Sequence, residues 1–258
     1  HLLTVTSRSN CLQEREAPID GLFENHSKNE RPLKIRKRPK VLITARVHPG
    51  ETSASFCFEG LLHFLMDKTD YRAHLLRKSF HFLLVPMLNP DGVYHGMYRT
   101  DLNFCNLNRM YYHASQLVNR LSGPFVPSCR AWALSISTLI CMGTPVKKVS
   151  SCTVSLLDIH LQTESELFAK LLELNSPYFE KFESNFSKKQ MKAKEKADDY
   201  SKEGCARVFM YKKFNIVHSY TLECGFHTPN VLNTLPASKE PNICYGSIGT
   251  SKSSKIKG

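Results

Sequence analysis

Apolar residues fall along this chain in short, nearly continuous runs separated by stretches with helical spacing, and that alternation predicts an α/β fold. "KVLITARV" (40–47) is a β-branched run without polar alternation, the pattern of a strand buried on both faces of a parallel sheet. After the corner "HPGE", Phe58, Leu61, Leu62 and Leu65 recur at helical spacing, with Thr52 or Ser53 available as N-cap. "SFHFLLVPMLN" (79–89) predicts a second buried strand, stopped by the turn tetrapeptide "NPDG" (89–92), so residues 40–89 read as a βαβ unit. "TVSLLDIH" (153–160) and "IVHSYTLECGF" (216–226) predict further strands, each ending in a polar residue. "SELFAKLLELNSPYFEKF" (165–182) has helical periodicity in its first half.

The pattern fades elsewhere. Residues 113–152 hold Pro, Ser and Cys without a sustained period, "KKQMKAKEKADDYSKEG" (188–204) reads as a charged loop or helix, and 236–258 ends in a Ser/Lys-rich basic tail that predicts disorder.

Composition narrows the class. A chain of 258 residues with 41% apolar content can bury a sizeable core. Its longest near-apolar run, "AWALSISTLICMG", is too short to cross a bilayer, and no secretory leader pattern opens the chain, so an intracellular protein without a membrane partner is expected. The nine cysteines are odd in number and form no Cys-x-x-Cys pair, which argues against a disulfide framework or a zinc finger and for a reducing compartment. A net charge of +12 favours an acidic partner without choosing among nucleic acid, anionic lipid and acidic polypeptide.

Candidate chemistry gathers at strand ends. Ligands of open α/β sheets sit beyond the carboxyl ends of the strands, where His48, Glu51 and the segment after Asn89 would meet. Imidazole and carboxylate are two of the three protein ligands a catalytic zinc needs, and His160, after "LLD", is the best-placed candidate for the third. Glu223 of "SYTLEC" stands among β-branched and aromatic neighbours, so it is exposed at the strand end, paired, or catalytic; beside a metal-bound water it would be a general base. His63, His74, His81, His113 and His218 read as satisfied or surface histidines.

In this order, "ARVHPGE", "PMLNPDGVYHGMYRTD", "NLNR", "LLDIH" and "IVHSYTLEC" resemble the cytosolic carboxypeptidases, zinc metallocarboxypeptidases that trim glutamate from tubulin tails. The likeness is nearest to the branch that removes branch-point glutamates. It covers 31–112 strongly and 153–235 in pieces. The resemblance implies a zinc-carboxypeptidase-like, mostly parallel mixed sheet flanked by helices, with 31–235 as the catalytic domain, 113–152 as an irregular insert and 1–30 as a linker remnant of an N-terminal domain.

The resemblance also implies a site. One zinc ion per chain would be bound by His48, Glu51 and His160, with Glu223 as general base and acid and Arg99 stabilising the oxyanion. Asn108 and Arg109 would clamp the substrate's terminal carboxylate. Arg207 would face the side chain of the released glutamate, with Lys212 or Lys213 as alternatives, and Asn106 would orient a ligand from behind. The implied partners are glutamylated tubulin or other acidic tails rather than nucleic acid. The implied location is the cytoplasm on microtubules, with the nucleus as a further compartment.

Three features depart from the family pattern. After the third-ligand histidine the family continues "GHASKRG", where this chain runs "LQTESELFAKLL". Phe104 and Cys105 stand where the family has Gly-Val. The β-rich N-terminal domain and the closing helix have no counterpart, which predicts a shortened chain with exposed edges and an unfilled core. A carboxypeptidase-like module that holds acidic tails through Arg99, Arg109 and Arg207 without turnover is the alternative. Nucleic-acid or import-receptor binding through "KIRKRPK" (34–40) is a third class.

Overall fold

A computed structural model of the chain describes residues 2–9, 11–16, 33–35, 38–112, 136–143, 149–151, 159–181, 184–187, 192, 201–225 and 232–235. Its main sheet contains β1 (Leu3–Val5), β4 (Lys40–Ala45), β5 (His81–Val85), β6 (Ile136–Gly143), β7 (Val149–Ser151) and β8 (His218–Glu223), in the order β1-β5-β4-β6-β8-β7. β5, β4, β6 and β8 run parallel, and the short edge strands β1 and β7 are antiparallel to their neighbours. A separate ribbon pairs β2 (Cys11–Arg15) with β3 (Leu33–Ile35).

The unalternated apolar runs have the cause their pattern implied, because helices cover both faces. Val41, Ile43 and Ala45 of β4 and Phe82 and Leu84 of β5 pack against Ala54, Phe58 and Leu65 of α1 (Ser53–Met66). Leu42 and Leu83, one residue out of phase, face Phe209 and Met210 of α5 (Ala206–Phe214) together with Leu107 and Met110. Successive side chains of a strand point to opposite faces, so a strand with both faces buried is apolar throughout. Each fully buried Leu or Ile contributes roughly 1.5–3 kcal/mol relative to exposure.

The βαβ unit over 40–89 is present, with a second helix, α2 (Tyr71–Ser79), capped by Asp70, whose side chain accepts from the Arg72 and Ala73 amides. Ser79 therefore closes a helix rather than opening the second strand. "NPDG" starts a single helical turn, α3 (Pro90–Tyr94), with Asn89 Oδ1 accepting from Gly92 N at 3.0 Å. Thr52 occupies the N-cap position of α1 but makes no side-chain capping bond.

Four expectations are corrected. The stretch expected to be irregular, 113–152, supplies two strands, one of them the central β6; the rest of it lies outside the described residues. The strand expected over 153–160 does not end at His160. Ile159 and His160 open helix α4 (Ile159–Asn175), because the helical phase of Leu161, Ser165, Phe168 and Leu172 begins there; 152–158 are outside the described residues. The segment expected as a linker, 1–30, contributes β1 to the main sheet and β2 to the ribbon. His81, expected to be satisfied or at the surface, is 1% exposed, and neither ring nitrogen has a hydrogen-bond partner among the described residues.

The basic run is in large part structural. Arg38 Nη1 donates to Thr6 Oγ1 and to Ser7 O, both at 2.7 Å, and so ties the β1 segment down, while Lys34 and Lys40 pair with Glu14 and Glu16. Helix α4 packs Phe168 in a stack on Tyr220 of β8 yet leaves Leu167, Leu171 and Leu174, at i, i+4 and i+7, in solvent. The predicted tail, 236–258, and most of 188–204 fall outside the described residues. Among the described residues no helix is long and apolar enough to cross a membrane.

Candidate active site

The site grows from the corner after β4. Arg46 leaves the strand at φ +58°, a left-handed conformation that costs a non-glycine residue roughly 1–2 kcal/mol. Its buried guanidinium offsets that cost by donating through Nε and Nη2 to Pro49 O, at 3.0 and 2.6 Å, and through Nη1 to Ser55 Oγ at 2.8 Å. The corner is thereby stapled to the first turn of α1. Gly50 N donates to Tyr98 O at 2.7 Å, and a Cβ at Gly50 would lie 2.4–2.9 Å from Tyr98, so only glycine lets the loop carrying Arg99 dock there.

This geometry fixes the chemistry of His48. Asn106 Oδ1 accepts from Asn108 N at 3.1 Å, which identifies that atom as the amide oxygen. His48 Nε2 lies 3.0 Å from the same oxygen and must donate to it. Nδ1 is then left with its lone pair directed at Glu51 Oε1, 2.6 Å away. Two lone pairs at that distance need a shared cation: a proton fits between them as they stand, and a metal ion would bind both from one side. Glu51 Oε2 is also buried and has no hydrogen-bond partner among the described residues. Both observations fit a metal held by His48 and Glu51, with Asn106 in the orienting place the sequence suggested.

The third ligand does not follow. His160 is exposed in the first turn of α4, and among the described residues no three His, Cys, Asp or Glu side chains are grouped to hold a metal ion. The strand lying between those that carry the site is β6, with Met142 opposite Ala45 and Gly143 opposite Glu223. Cys141, Met142, Gly143 and the following "TPVKK" contain no histidine and no carboxylate.

Glu223, by contrast, is at the site. Burial foremost, and then the charge of Glu51, push its carboxyl up to about 7 against the opposing pull of Arg207, Lys202 and Arg99. Glu51, Arg207, Lys202 and Arg99 are thus the charges that Glu223 feels. Arg207, in the first turn of α5, is 8% exposed and donates to Thr221 Oγ1 on β8 at 2.7 Å. Lys213 is exposed on the last turn of α5, and Lys212, beside it, pairs with Glu203 at 2.6 Å.

Asn108 and Arg109 lie in a 3-10 turn (Leu107–Arg109), where two of their polar atoms already have structural work. Asn108 Oδ1 accepts from Ala206 N at 3.2 Å, capping α5, and Arg109 is 5% exposed with Nη1 on Asn108 O. Gly204 presses on this turn so closely that a Cβ would come within 2.0 Å of Arg109 O. The sequence reading missed Arg46, whose only signal was a cation at the end of an apolar strand. It also missed Asp101, whose Oδ1 accepts from the amides of Asn103 and Cys105 and shapes the loop before "NLNR".

The chain is similar to known proteins over most of its length. Residues 1–119 match the zinc carboxypeptidase family. Cytosolic carboxypeptidase-like protein 5 of Homo sapiens is 31% identical over 330 aligned positions, which take in 93% of this chain and 37% of the human protein. The Danio rerio protein of the same name is 29% identical over 93% of this chain and 38% of its own length. The chain thus spans well under half the length of these relatives, and the alignment with the human protein is longer than the chain itself. Among solved structures, a metallo-carboxypeptidase from Burkholderia cenocepacia superposes with a TM-score of 0.60 at 26% identity, over 74% of this chain and 49% of that one.

Proposed function

From a chain that belongs to the zinc carboxypeptidase family, peptidase M14, we propose a metal-dependent carboxypeptidase that removes glutamate from the ends or branch points of acidic protein tails such as polyglutamylated tubulin. The feature that carries this reading is Glu223 at the end of β8: a carboxyl that burial pushes up to about 7, under the charges of Glu51, Arg207, Lys202 and Arg99, can take a proton from water and return it to a leaving amine. His48 Nδ1 and Glu51 are the groups that would hold zinc. Bound zinc would supply Lewis acidity toward water and a carbonyl oxygen.

Arg207 would give the released residue's side chain a cation, and Arg99, carried on the loop docked at Gly50, would face the oxyanion. Asn108 and Arg109 would bind the terminal carboxylate after exchanging their present partners in the 3-10 turn and α5. Replacing the terminal glutamate by glutamine would leave Arg207 without its anion, so turnover should fall steeply. The +12 chain would meet an acidic tail faster at low salt. The relatives are named cytosolic, and the cytoplasm is where this reading puts the reaction.

The position of His160 favours a second reading, a module that binds acidic tails without turnover. Glutamate release from a tail peptide ending in glutamates, measured with added zinc for the wild type and Glu223→Gln, tests the first. Release by the wild type and not by the variant supports the enzyme. Tail binding by both proteins with release by neither supports the module.

A further inference from the structure

Cys57 and Cys224 belong to none of the chemistry above, yet they meet beside it. Ser53, the first residue of α1, donates from Oγ to Cys224 O at 2.7 Å in a buried contact. That bond fastens the residue after Glu223 to the N-terminal turn of the helix. Cys57 is one turn further along α1, at i+4 from Ser53 and so on the same helix face. The Cys224 thiol, whose Sγ donates to Leu222 O at 3.9 Å, is the neighbour whose ionisation Cys57 feels. Both are free thiols; Cys57 reaches solvent, whereas Cys224 is 8% exposed.

We propose that Cys57 and Cys224 form a modification site: a dithiol that hydroperoxides oxidise to a disulfide, with Cys57 as the attacking sulfur and Cys224 as the resolving one. The Cys57 thiolate attacks one oxygen of hydrogen peroxide, the O–O bond breaks, sulfenic acid forms, and the hydroxide that leaves takes up the proton the thiol had released, giving water. The Cys224 sulfur then attacks Sγ of Cys57, the S–OH bond breaks, and the Cys224 proton leaves with the hydroxyl as a second water. Two thiols lose two electrons and two protons, and one hydrogen peroxide becomes two waters.

The assignment of roles follows from exposure, since peroxide reaches Cys57 and not Cys224. It is supported by acidity: the neighbouring Cys224 thiol holds the Cys57 thiol down at about 7, while the Cys57 thiol and burial raise Cys224. Closing the bond would draw the two sulfurs to about 2.05 Å, pulling the end of β8 onto α1. The proposal does not depend on carboxypeptidase turnover.

The test is peptide mapping by mass spectrometry after a brief treatment of the full chain with hydrogen peroxide at neutral pH, folded and in urea. The expected result is a Cys57–Cys224 cross-linked peptide, two hydrogens lighter than the separate thiols, formed at least tenfold more in the folded chain and reversed by dithiothreitol. In Cys224→Ser, Cys57 should instead accumulate as sulfenic and then sulfinic acid. A cross-link no more frequent in the folded chain than in urea, or Cys57 sulfinic acid in the wild type at the variant's level, would overturn the proposal.

Discussion

The carboxyl ends of β4 and β6 lie side by side, in register from Val41 opposite Thr138 to Ala45 opposite Met142, and their chemical content is opposite. β4 runs into His48 and Glu51, held by Arg46, Gly50 and Asn106 in a geometry that leaves a ring nitrogen and a carboxylate sharing one cation. β6 runs into Met142 and Gly143, with no histidine or carboxylate in the five residues beyond. The backbone frame of the sheet is continuous across both. Strand pairing asks only for apolar residues in register, so the sheet forms whether or not the residue beyond a strand is a metal ligand.

The largest way to break this comparison acts on the chemistry it leaves in place. Glu223→Gln should lower glutamate release by roughly 10²–10⁴-fold at unchanged tail affinity, measured by amino-acid analysis beside a binding titration. A loss of binding equal to the loss of rate would mean that Glu223 holds the site together rather than moving a proton.

The corner itself can be loosened from behind. Asn106→Ala removes the acceptor that sets the His48 tautomer and should weaken zinc binding by roughly 10–100-fold, read by competition with a chromophoric chelator. An unchanged affinity would show that Glu51 alone orients the ring.

The opposite end of the sheet gives a third test. His81 stands opposite Lys40, its pKa pushed down to about 4 by burial first and then by the Lys40 and Arg38 charges. The unfolded chain binds the extra proton between pH 6.5 and 4, so this contribution to stability is complete above about 6.5 and is lost as pH falls toward 4. The loss should reach about 3 kcal/mol. Urea unfolding across that window should show the slope in the wild type and a shallower one in His81→Phe.

The smallest effect concerns the loop before "NLNR". Phe104 is 82% exposed at φ +57°, so the chain follows a left-handed path with a residue that resists it. Phe104→Gly should stabilise the protein by about 1 kcal/mol, seen as a higher urea midpoint at constant slope. Destabilisation would mean that the exposed ring contributes packing beyond its strain.

What the sequence made legible follows the same division. Both-faced burial left an unmistakable mark on "KVLITARV" and "HFLLV", and the polar residues just beyond the first of them, and at the end of β8, were readable as a site because side chains there must serve or be paired. The central strand was not legible. "ISTLICMG" and "TVSLLDIH" are equally good β runs by pattern, and the histidine at the end of the second drew the strand assignment toward it. The helical phase starting at Leu161 was the contrary signal. Arg46 and Asp101 were invisible for another reason, since their work is to bind backbone groups of loops, which no periodicity records.

Zinc titration of the purified, folded chain beside His48→Ala and His160→Ala tests the central claim most directly. The account predicts binding at the corner after β4 that His48→Ala abolishes and His160→Ala leaves unchanged. A His160→Ala variant that loses zinc as completely as His48→Ala would contradict it, because α4 would then have to bring His160 to the corner and the ligand set would be complete after all.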